Sequence, residues 1–211
     1  MNVYSAMVGN NAGLIELVCE LYVSEGDTIA DVTYGKGAFW RKVEVDVTAS
    51  DIIHTVRPYD FNRLPYDDCS FDHVVFDPPY VHTPGKKFQK DANYRNSDTH
   101  IREKGGEKYH KAVVQRYRTG MCEACRVARK FVWVKCQDEV CSGLQWWTHI
   151  EVLDIGRRLG LYARDLFVLQ QSRKPTIQHK RQLHARKNHS YLWIFEKPDS
   201  AKRRLIFRNG A

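Results

Sequence analysis

Two glycines follow the first apolar strand pattern of the chain and could bring its backbone close to a bound nucleotide. Residues 31–37 read DVTYGKG, and glycine at such a strand end allows an approach that a side chain would block. An isolated pair of glycines is about as often an ordinary turn between strand and helix. A dinucleotide-binding fingerprint would have a third glycine where Trp40 stands, which disfavours NAD and FAD.

Acidic residues at the ends of predicted strands strengthen the nucleotide interpretation. Asp51 follows the next strand, 16 residues after Gly35, and could accept hydrogen bonds from two ribose hydroxyls. Asp60, just before Phe61, could bind an adenine amino group. Each aspartate alone is more often a turn or cap residue. Together with Asp31 they predict a nucleoside-sized site at the carboxyl edge of a parallel sheet, where such ligands bind.

A second motif lies further along the chain, where residues 77–80 read DPPY after the apolar strand pattern of residues 71–76. The two prolines prevent the strand from continuing. Together with the glycine loop, this motif resembles the amino-methyltransferases that use S-adenosylmethionine to methylate adenine N6 or cytosine N4 in DNA. Those enzymes usually have Pro and Phe where this chain has Val32 and Thr33. The resemblance also covers segments 10–23, 26–31, 133–138 and 188–195.

The resemblance implies a fold, a cofactor and a set of site residues. The fold is α/β, the Rossmann-like class I methyltransferase fold, with a mostly parallel doubly wound sheet and an antiparallel last strand. The cofactor is S-adenosylmethionine, and the residues expected to bind it are Asp31, Thr33, Tyr34, Gly35, Gly37, Asp51, Ile52, Asp60 and Phe61. The expected catalytic residues are Asp77, Pro78, Pro79 and Tyr80.

The DPPY residue types suit methylation of an exocyclic amine, whose lone pair is delocalised into the base. The Asp77 carboxylate and the Pro78 carbonyl can accept its two N–H bonds and so localise the lone pair on nitrogen. Tyr80 can stack on a base flipped out of the duplex, and catalysis is then mostly positioning and electrostatics. Methylation at cytosine C5 would need a nucleophilic thiolate next to a proline, and none of the six cysteines follows one.

Alternating strand and helix patterns must position these motifs. Helices are predicted over residues 11–23, 109–130 and 146–160, and strands over 28–32, 43–49, 71–76, 131–136, 166–170 and 190–195. This alternation indicates a parallel α/β sheet. We expect a catalytic domain over residues 1–197 with basic insertions at 81–108 and 172–187, followed by a basic tail at 198–211.

Charge is distributed unevenly along the chain. Residues 1–80 contain 5 lysines and arginines against 13 aspartates and glutamates, whereas residues 172–211 contain 11 against 2. Such a basic block predicts contact with a polyanion such as nucleic acid. The resemblance implies that this polyanion is double-stranded DNA rather than RNA. The candidate phosphate-binding residues are Lys86, Lys87, Lys90, Arg173, Lys174, Lys180 and Arg181. The competing interpretation is that these cations only solvate loops.

Several classes of protein are disfavoured. No apolar stretch is long enough to span a membrane and no basic segment followed by an apolar run begins the chain, so we expect a cytoplasmic protein. The cysteines at 122 and 125, with those at 136 and 141, match no ordinary zinc spacing. We therefore expect buried free thiols and no bound metal, and we expect His110 to be solvated or to face phosphate.

The motif favours adenine N6 as the acceptor, because cytosine-N4 enzymes more often have Ser in place of Asp77. Cytosine N4 in DNA stays an alternative, as does an adenine-N6 or guanine-N2 amine in RNA or tRNA. In a different class, the chain could be a nucleic-acid-binding protein with a vestigial cofactor pocket. The recognition sequence and the oligomeric state do not follow from these patterns.

Overall fold

A computed structural model describes residues 2–52, 56–80, 110–171 and 183–199. Three helices are described: α1 (Asn11–Tyr22), α2 (His110–Val127) and α3 (Thr148–Arg158). The strands are β1 (Ala6–Gly9), β2 (Ile29–Asp31), β3 (Val47–Ala49), β4 (Phe71–Phe76), β5 (Ala128–Cys136), β6 (Glu139–Cys141), β7 (Leu144–Trp146), β8 (Tyr162–Gln171) and β9 (His189–Glu196).

Seven of these strands form one sheet in the order β1-β8-β9-β5-β4-β2-β3. Neighbours pair in parallel except at β9, which is antiparallel to both β5 and β8. The chain order reverses direction across the sheet between β2 and β4, which is where open α/β sheets bind ligands. Strands β6 and β7 form a separate antiparallel hairpin.

Helices cover both faces of the sheet, as alternating side chains along the strands require. On β4, Val74 and Phe76 lie in the cluster that packs against α2 and α3, while Val75 lies in the cluster that packs against α1. On β5, Val134 and Trp133 divide in the same way. The doubly wound, mostly parallel sheet with an antiparallel last strand is therefore confirmed.

One local feature fixes the start of α1, and another lets α2 pack closely on the sheet. The side chain of Asn10 caps α1 by accepting a 3.0 Å hydrogen bond from the backbone N–H of Gly13, which satisfies one of the free donors at the helix start. On α2, a Cβ at Gly120 would lie 2.2 Å from the Phe76 ring. A glycine is therefore needed for the helix to pack this closely against the end of β4.

The sequence predicted most elements, with several corrections. The strand expected over residues 43–49 begins only at Val47, and the helix expected from 146 begins at Thr148. The helix expected to reach residue 130 ends at Val127, where β5 begins. Strand β1 and the β6–β7 hairpin were not predicted, because neither short segment has a clear apolar period.

The cysteines and His110 also differ in part from expectation. All six cysteines are free. Of the four expected to be buried, Cys136 and Cys141 are buried, but Cys125 is half-buried and Cys122 is exposed, so the expectation was wrong for Cys122 and held only in part for Cys125. His110 is buried rather than solvated. Its Nδ1 pairs with a Glu139 carboxylate oxygen at 2.8 Å, and its ring stacks on Trp146.

Within the described ranges, no helix is long and apolar enough to cross a membrane, and no cluster of His, Cys, Asp or Glu could hold a metal ion.

Candidate active site

The register of the sheet brings the predicted motifs to one edge. Asp31, at the end of β2, pairs with Ala49 on β3 and with Val75 on β4. Asp51 and Asp77 each lie two residues beyond those partners. Asp31, Asp51 and Asp77 therefore lie at the carboxyl ends of three neighbouring parallel strands. Asp60, which was predicted to lie at a strand end with Asp31 and Asp51, lies instead in the segment between β3 and β4.

The glycine loop after β2 depends on two left-handed backbone conformations. Gly35 has a φ of +54° and Gly37 a φ of +68°, a region that other residues rarely adopt. The N–H of Gly37 donates to the Tyr34 carbonyl at 2.9 Å. A Cβ at Gly37 would lie only 2.7 Å from the Tyr34 hydroxyl. The loop is therefore a tight turn with the Tyr34 ring packed over it.

Asp31 stabilises this loop by accepting hydrogen bonds from two of its residues. Its side chain, almost fully buried, accepts hydrogen bonds from the backbone N–H of Thr33 at 3.0 Å and from the indole N–H of Trp40 at 2.8 Å. Burial raises the pKa of Asp31 to about 7 although these bonds favour its ionised form, and the nearby Asp77 raises it further. The residue that breaks the dinucleotide fingerprint, Trp40, thus has a structural role in the loop.

Asp51 joins the glycine loop to the end of β3. Its Oδ2 accepts a 3.1 Å hydrogen bond from the N–H of Gly35, and its own N–H donates to the carbonyl of Arg57 at 3.2 Å. The following residue, Ile52, is 43% exposed. An acidic side chain held against a glycine turn is well placed to accept hydrogen bonds from ribose hydroxyls.

Asp60 and Phe61 lie on the next segment. The Asp60 carboxylate accepts bonds from the backbone N–H and the side-chain amide of Asn62, at 2.9 and 2.8 Å. It therefore has the turn geometry that a lone aspartate often adopts. The Phe61 ring packs edge-on against Phe76, with ring centres 5.1 Å apart, which brings this segment next to the end of β4.

The DPPY segment is held from both sides. The N–H of Asp77 donates to Oγ1 of Thr33 at 2.6 Å, so one threonine connects the glycine loop to the start of the motif. The guanidinium of Arg116, on α2, donates to the carbonyl of Pro79. The hydroxyl of Tyr80 donates to Oδ1 of Asp77. These contacts fix the backbone of the segment and couple its first and last side chains.

A buried lysine completes the site. Lys135, on β5, is 1% exposed, and its ammonium donates to the Tyr80 hydroxyl at 3.3 Å and to the Asn11 side-chain carbonyl at 3.0 Å. Burial raises the pKa of Asp77, and the positive charge of Lys135 opposes that rise. Sequence reasoning assigned no role to Lys135, and the available signal was a single cation inside an otherwise apolar strand.

The residues predicted to contact nucleic acid do not lie in the part of the chain that the structure describes. All seven candidate cations lie outside the described residues, in segments 81–109 and 172–182. They remain predictions, as do the cofactor and catalytic roles of the residues whose positions are described above.

No protein-family model and no curated protein matches this sequence. Solved structures do match. A Bacillus halodurans protein proposed to be a methyltransferase has a TM-score of 0.56 at 12% identity, over 90% of this chain and 100% of that one. Magnesium protoporphyrin IX methyltransferase from Synechocystis, with bound S-adenosylmethionine, has a TM-score of 0.53 at 10% identity, over 89% and 78%.

A Thermus thermophilus protein proposed to be a DNA modification methylase, complexed with S-adenosylmethionine, also matches, with a TM-score of 0.41 at 18% identity over 64% of this chain. The chain spans about half the length of that protein, 51%. The Bacillus halodurans and Synechocystis matches, together with the sheet order, show the Rossmann-like class I methyltransferase fold, as the resemblance implied. Identities this low establish the fold and not the substrate.

Proposed function

We propose that this protein is an S-adenosylmethionine-dependent methyltransferase that methylates an exocyclic amine of a DNA base, adenine N6 in the first instance. The observation that carries the proposal is the DPPY segment, held at the carboxyl end of β4 directly beside the glycine loop by the hydrogen bond from Asp77 N–H to Thr33. The segment proposed to bind the amine and the loop proposed to bind the nucleoside are thereby adjacent.

The glycine loop and its neighbours fit the cofactor. Gly35 and Gly37 form a tight turn whose backbone a bound nucleoside could contact directly, and Asp51 offers carboxylate oxygens beside this turn. The magnesium protoporphyrin IX methyltransferase of the same fold was crystallised with S-adenosylmethionine, which agrees with this choice of ligand. When bound, the cofactor supplies a methyl group made electrophilic by a sulfonium.

The DPPY side chains would prepare the amine. The carboxylate of Asp77 accepts one N–H of the base, and the carbonyl of Pro78 accepts the other, so the nitrogen lone pair is directed at the methyl group. Transfer forms the N–C bond and breaks the S–C bond, leaving the thioether product. The methylated nitrogen then loses one proton, which Asp77 can accept because burial raises its pKa.

The charge distribution supports nucleic acid as the substrate. The acidic first 80 residues contain the candidate cofactor site, while the basic blocks that could bind phosphates lie elsewhere in the sequence. Phosphate contacts of this kind position a protein on nucleic acid but carry no sequence information directly. The base itself would be recognised by residues 77–80.

The test is methyl transfer by the full chain from radiolabelled S-adenosylmethionine to duplex DNA and to RNA in parallel. Digestion to nucleosides and mass spectrometry then identify the product. We expect N6-methyl-2′-deoxyadenosine, released from the duplex DNA. Product only in RNA would redirect the proposal to an RNA base amine, and N4-methylcytosine would change the base.

A matched pair of variants connects the product to the site. Asp77→Asn keeps the size of the side chain but removes the negative acceptor, and should abolish product. Asp68→Asn makes the same change in a carboxylate that pairs with Arg126 and is 76% exposed, and should keep full activity. Cofactor binding by wild-type protein without transfer to any nucleic acid would contradict the proposal and favour a binding protein with a vestigial pocket.

A further inference from the structure

Lys135 is unusual because an ammonium group lies within the core next to the candidate site. The strand around it is apolar, from Val132 through Val134, and the lysine itself is 1% exposed. Burying an ammonium is costly unless it is paired and hydrogen-bonded. A residue that only filled space at this position would be apolar, so the charge needs a functional explanation.

The hydrogen bonds of Lys135 run toward the DPPY segment. An ammonium is a donor only, so it donates to the Asn11 carbonyl at 3.0 Å and to the Tyr80 hydroxyl at 3.3 Å. With its oxygen accepting from Lys135, the Tyr80 hydroxyl directs its own proton to Oδ1 of Asp77. Lys135 therefore donates to Tyr80, and Tyr80 donates in turn to the carboxylate of Asp77.

We propose that Lys135 is a positioning residue, whose positive charge favours the ionised form of Asp77 and whose hydrogen bond holds the Tyr80 hydroxyl against that carboxylate. The proposal rests on the amine-methylating function proposed above. Asn11 fixes the ammonium from α1, and the aromatic rings of Phe39 and Tyr80 flank it at 5.8 and 5.7 Å. Lys135 therefore has a defined position relative to the acceptor carboxylate.

The surroundings of Asp77 explain why it needs a cation. Burial disfavours the charged form of both Asp77 and Lys135: it raises the pKa of Asp77 and lowers the pKa of Lys135, while the opposite charge of each group favours the charged form of the other. The Tyr80 hydroxyl also favours ionised Asp77. The other ionisable groups that act on this pocket are Asp31 on β2, Tyr117 on α2 and Cys136 on β5. Burial raises the pKa of each of these three acids and so favours their neutral forms. An acid of these types carries no positive charge in either form, so none of them can replace Lys135. Arg116 on α2 binds the carbonyl of Pro79.

The first test is the pH profile of methyl transfer by Lys135→Met. Without the cation, the acid limb of kcat should move up by about one pH unit or more, the usual effect of one close opposite charge on an aspartate. On the acid limb, activity should fall about tenfold for each unit by which the limb moves, and it should recover as the pH rises. Affinity for S-adenosylmethionine, measured by calorimetry, should change less than about twofold, which is under 0.5 kcal/mol.

The control for that test is Lys42→Met, the same substitution at an exposed lysine paired with Glu16 at 3.1 Å. It should leave the pH profile unchanged. An unchanged profile in Lys135→Met would overturn the proposal. So would a large loss of cofactor affinity with the wild-type profile, because Lys135 would then be a cofactor ligand.

A second test does not depend on activity. Lys135→Met leaves a buried carboxylate without its cation, so its melting temperature should fall, and adding Asp77→Asn should restore much of the loss. Strictly additive effects of the two substitutions would overturn the pairing. If the wild-type protein methylates nothing, the proposed function fails, and this stability cycle still decides whether Lys135 and Asp77 are coupled.

Discussion

The backbone N–H of Gly35 donates to Oδ2 of Asp51 at 3.1 Å, which joins the glycine loop after β2 to the residue that follows β3. Asp51 therefore has two roles in the proposed site. It orders the loop in the free protein, and it offers acceptor oxygens to a ribose when the cofactor binds. The two roles can be separated by substitution.

Asp51→Ala should weaken S-adenosylmethionine binding by about 1.5–3 kcal/mol, the usual value of hydrogen bonds to a charged group. Asp51→Asn keeps one acceptor oxygen for Gly35 and should lose less. Isothermal calorimetry measures both. Wild-type affinity in the alanine variant would mean that the ribose is bound elsewhere.

Asp77→Ala should abolish methyl transfer while cofactor affinity stays within a few-fold of wild type. The reason is that Asp77 lies at the end of β4, where it would contact the amine rather than the nucleoside. Transfer from labelled cofactor and calorimetry, run on the same preparation, give the two quantities. A variant that retained most of its activity would remove Asp77 from the catalytic role.

Gly37→Ala should weaken cofactor binding more than Gly26→Ala. Both glycines have positive φ, +68° and +83°, so an alanine at either one carries a similar backbone cost of about 1–2 kcal/mol. At Gly26 a Cβ meets no described atom within 4 Å, whereas at Gly37 it displaces the Tyr34 ring. Equal effects on affinity in the two variants would show that the Tyr34 ring is not needed at the cofactor site.

The basic segments should bind phosphates. Neutralising several of Lys86, Lys87, Lys90, Arg173, Lys174, Lys180 and Arg181 should weaken DNA binding without changing cofactor affinity. The slope of log affinity against log salt should fall by about one for each phosphate that is no longer neutralised. Titration of labelled duplex at several salt concentrations measures the slope, and a wild-type slope would leave these residues as solvating charges.

Asp27, which lies just before the amino end of β2, should make the stability of the protein sensitive to acid. Asp27, 7% exposed, accepts bonds from Lys130 and from His73, the latter at 3.0 Å. Burial alone would raise the pKa of Asp27, but these bonds together hold it below its usual value. A depressed pKa stabilises the folded state above the unfolded value of about 3.9, and this stabilisation is lost as the pH falls further.

Asp27→Asn should therefore lower the free energy of unfolding at pH 7 by about 1.5–3 kcal/mol, and the difference should shrink below pH ~4. Denaturant unfolding from pH 7 to pH 3 measures this, with Asp68→Asn as the exposed control. Asp31, whose pKa is raised to about 7, acts in the opposite direction but equally in both proteins. A difference constant with pH would contradict the assignment.

The sequence predicted the parts of the site that local rules govern. Prolines end β4 at a defined residue, and glycines mark the turn after β2, so the positions of Asp77 and Gly35 followed from neighbouring residues alone. Lys135 could not be found in this way. Its partner Asn11 is 124 residues away in the chain, and only the sheet order places them together.

The same limit explains the other differences. Strand β1 has four residues and is stabilised by pairing with β8, a contact that no local pattern encodes. Trp40 was interpreted only as a missing glycine, because its hydrogen bond to Asp31 depends on the folded loop. Exposure of Cys122 follows from which face of α2 meets the sheet, and that depends on packing rather than on composition.

The bond from Arg116 to the carbonyl of Pro79 has an evolutionary consequence. It fastens the chain that leaves β4 to the helix at which the chain returns, and 29 residues lie between Tyr80 and His110. Because the entropy of loop closure grows only with the logarithm of length, insertions or deletions between Tyr80 and His110 should cost little stability while the strand end stays anchored. Related chains could thus differ widely between these two anchored ends, so that the proposed base preference changes while the proposed catalytic segment keeps its position.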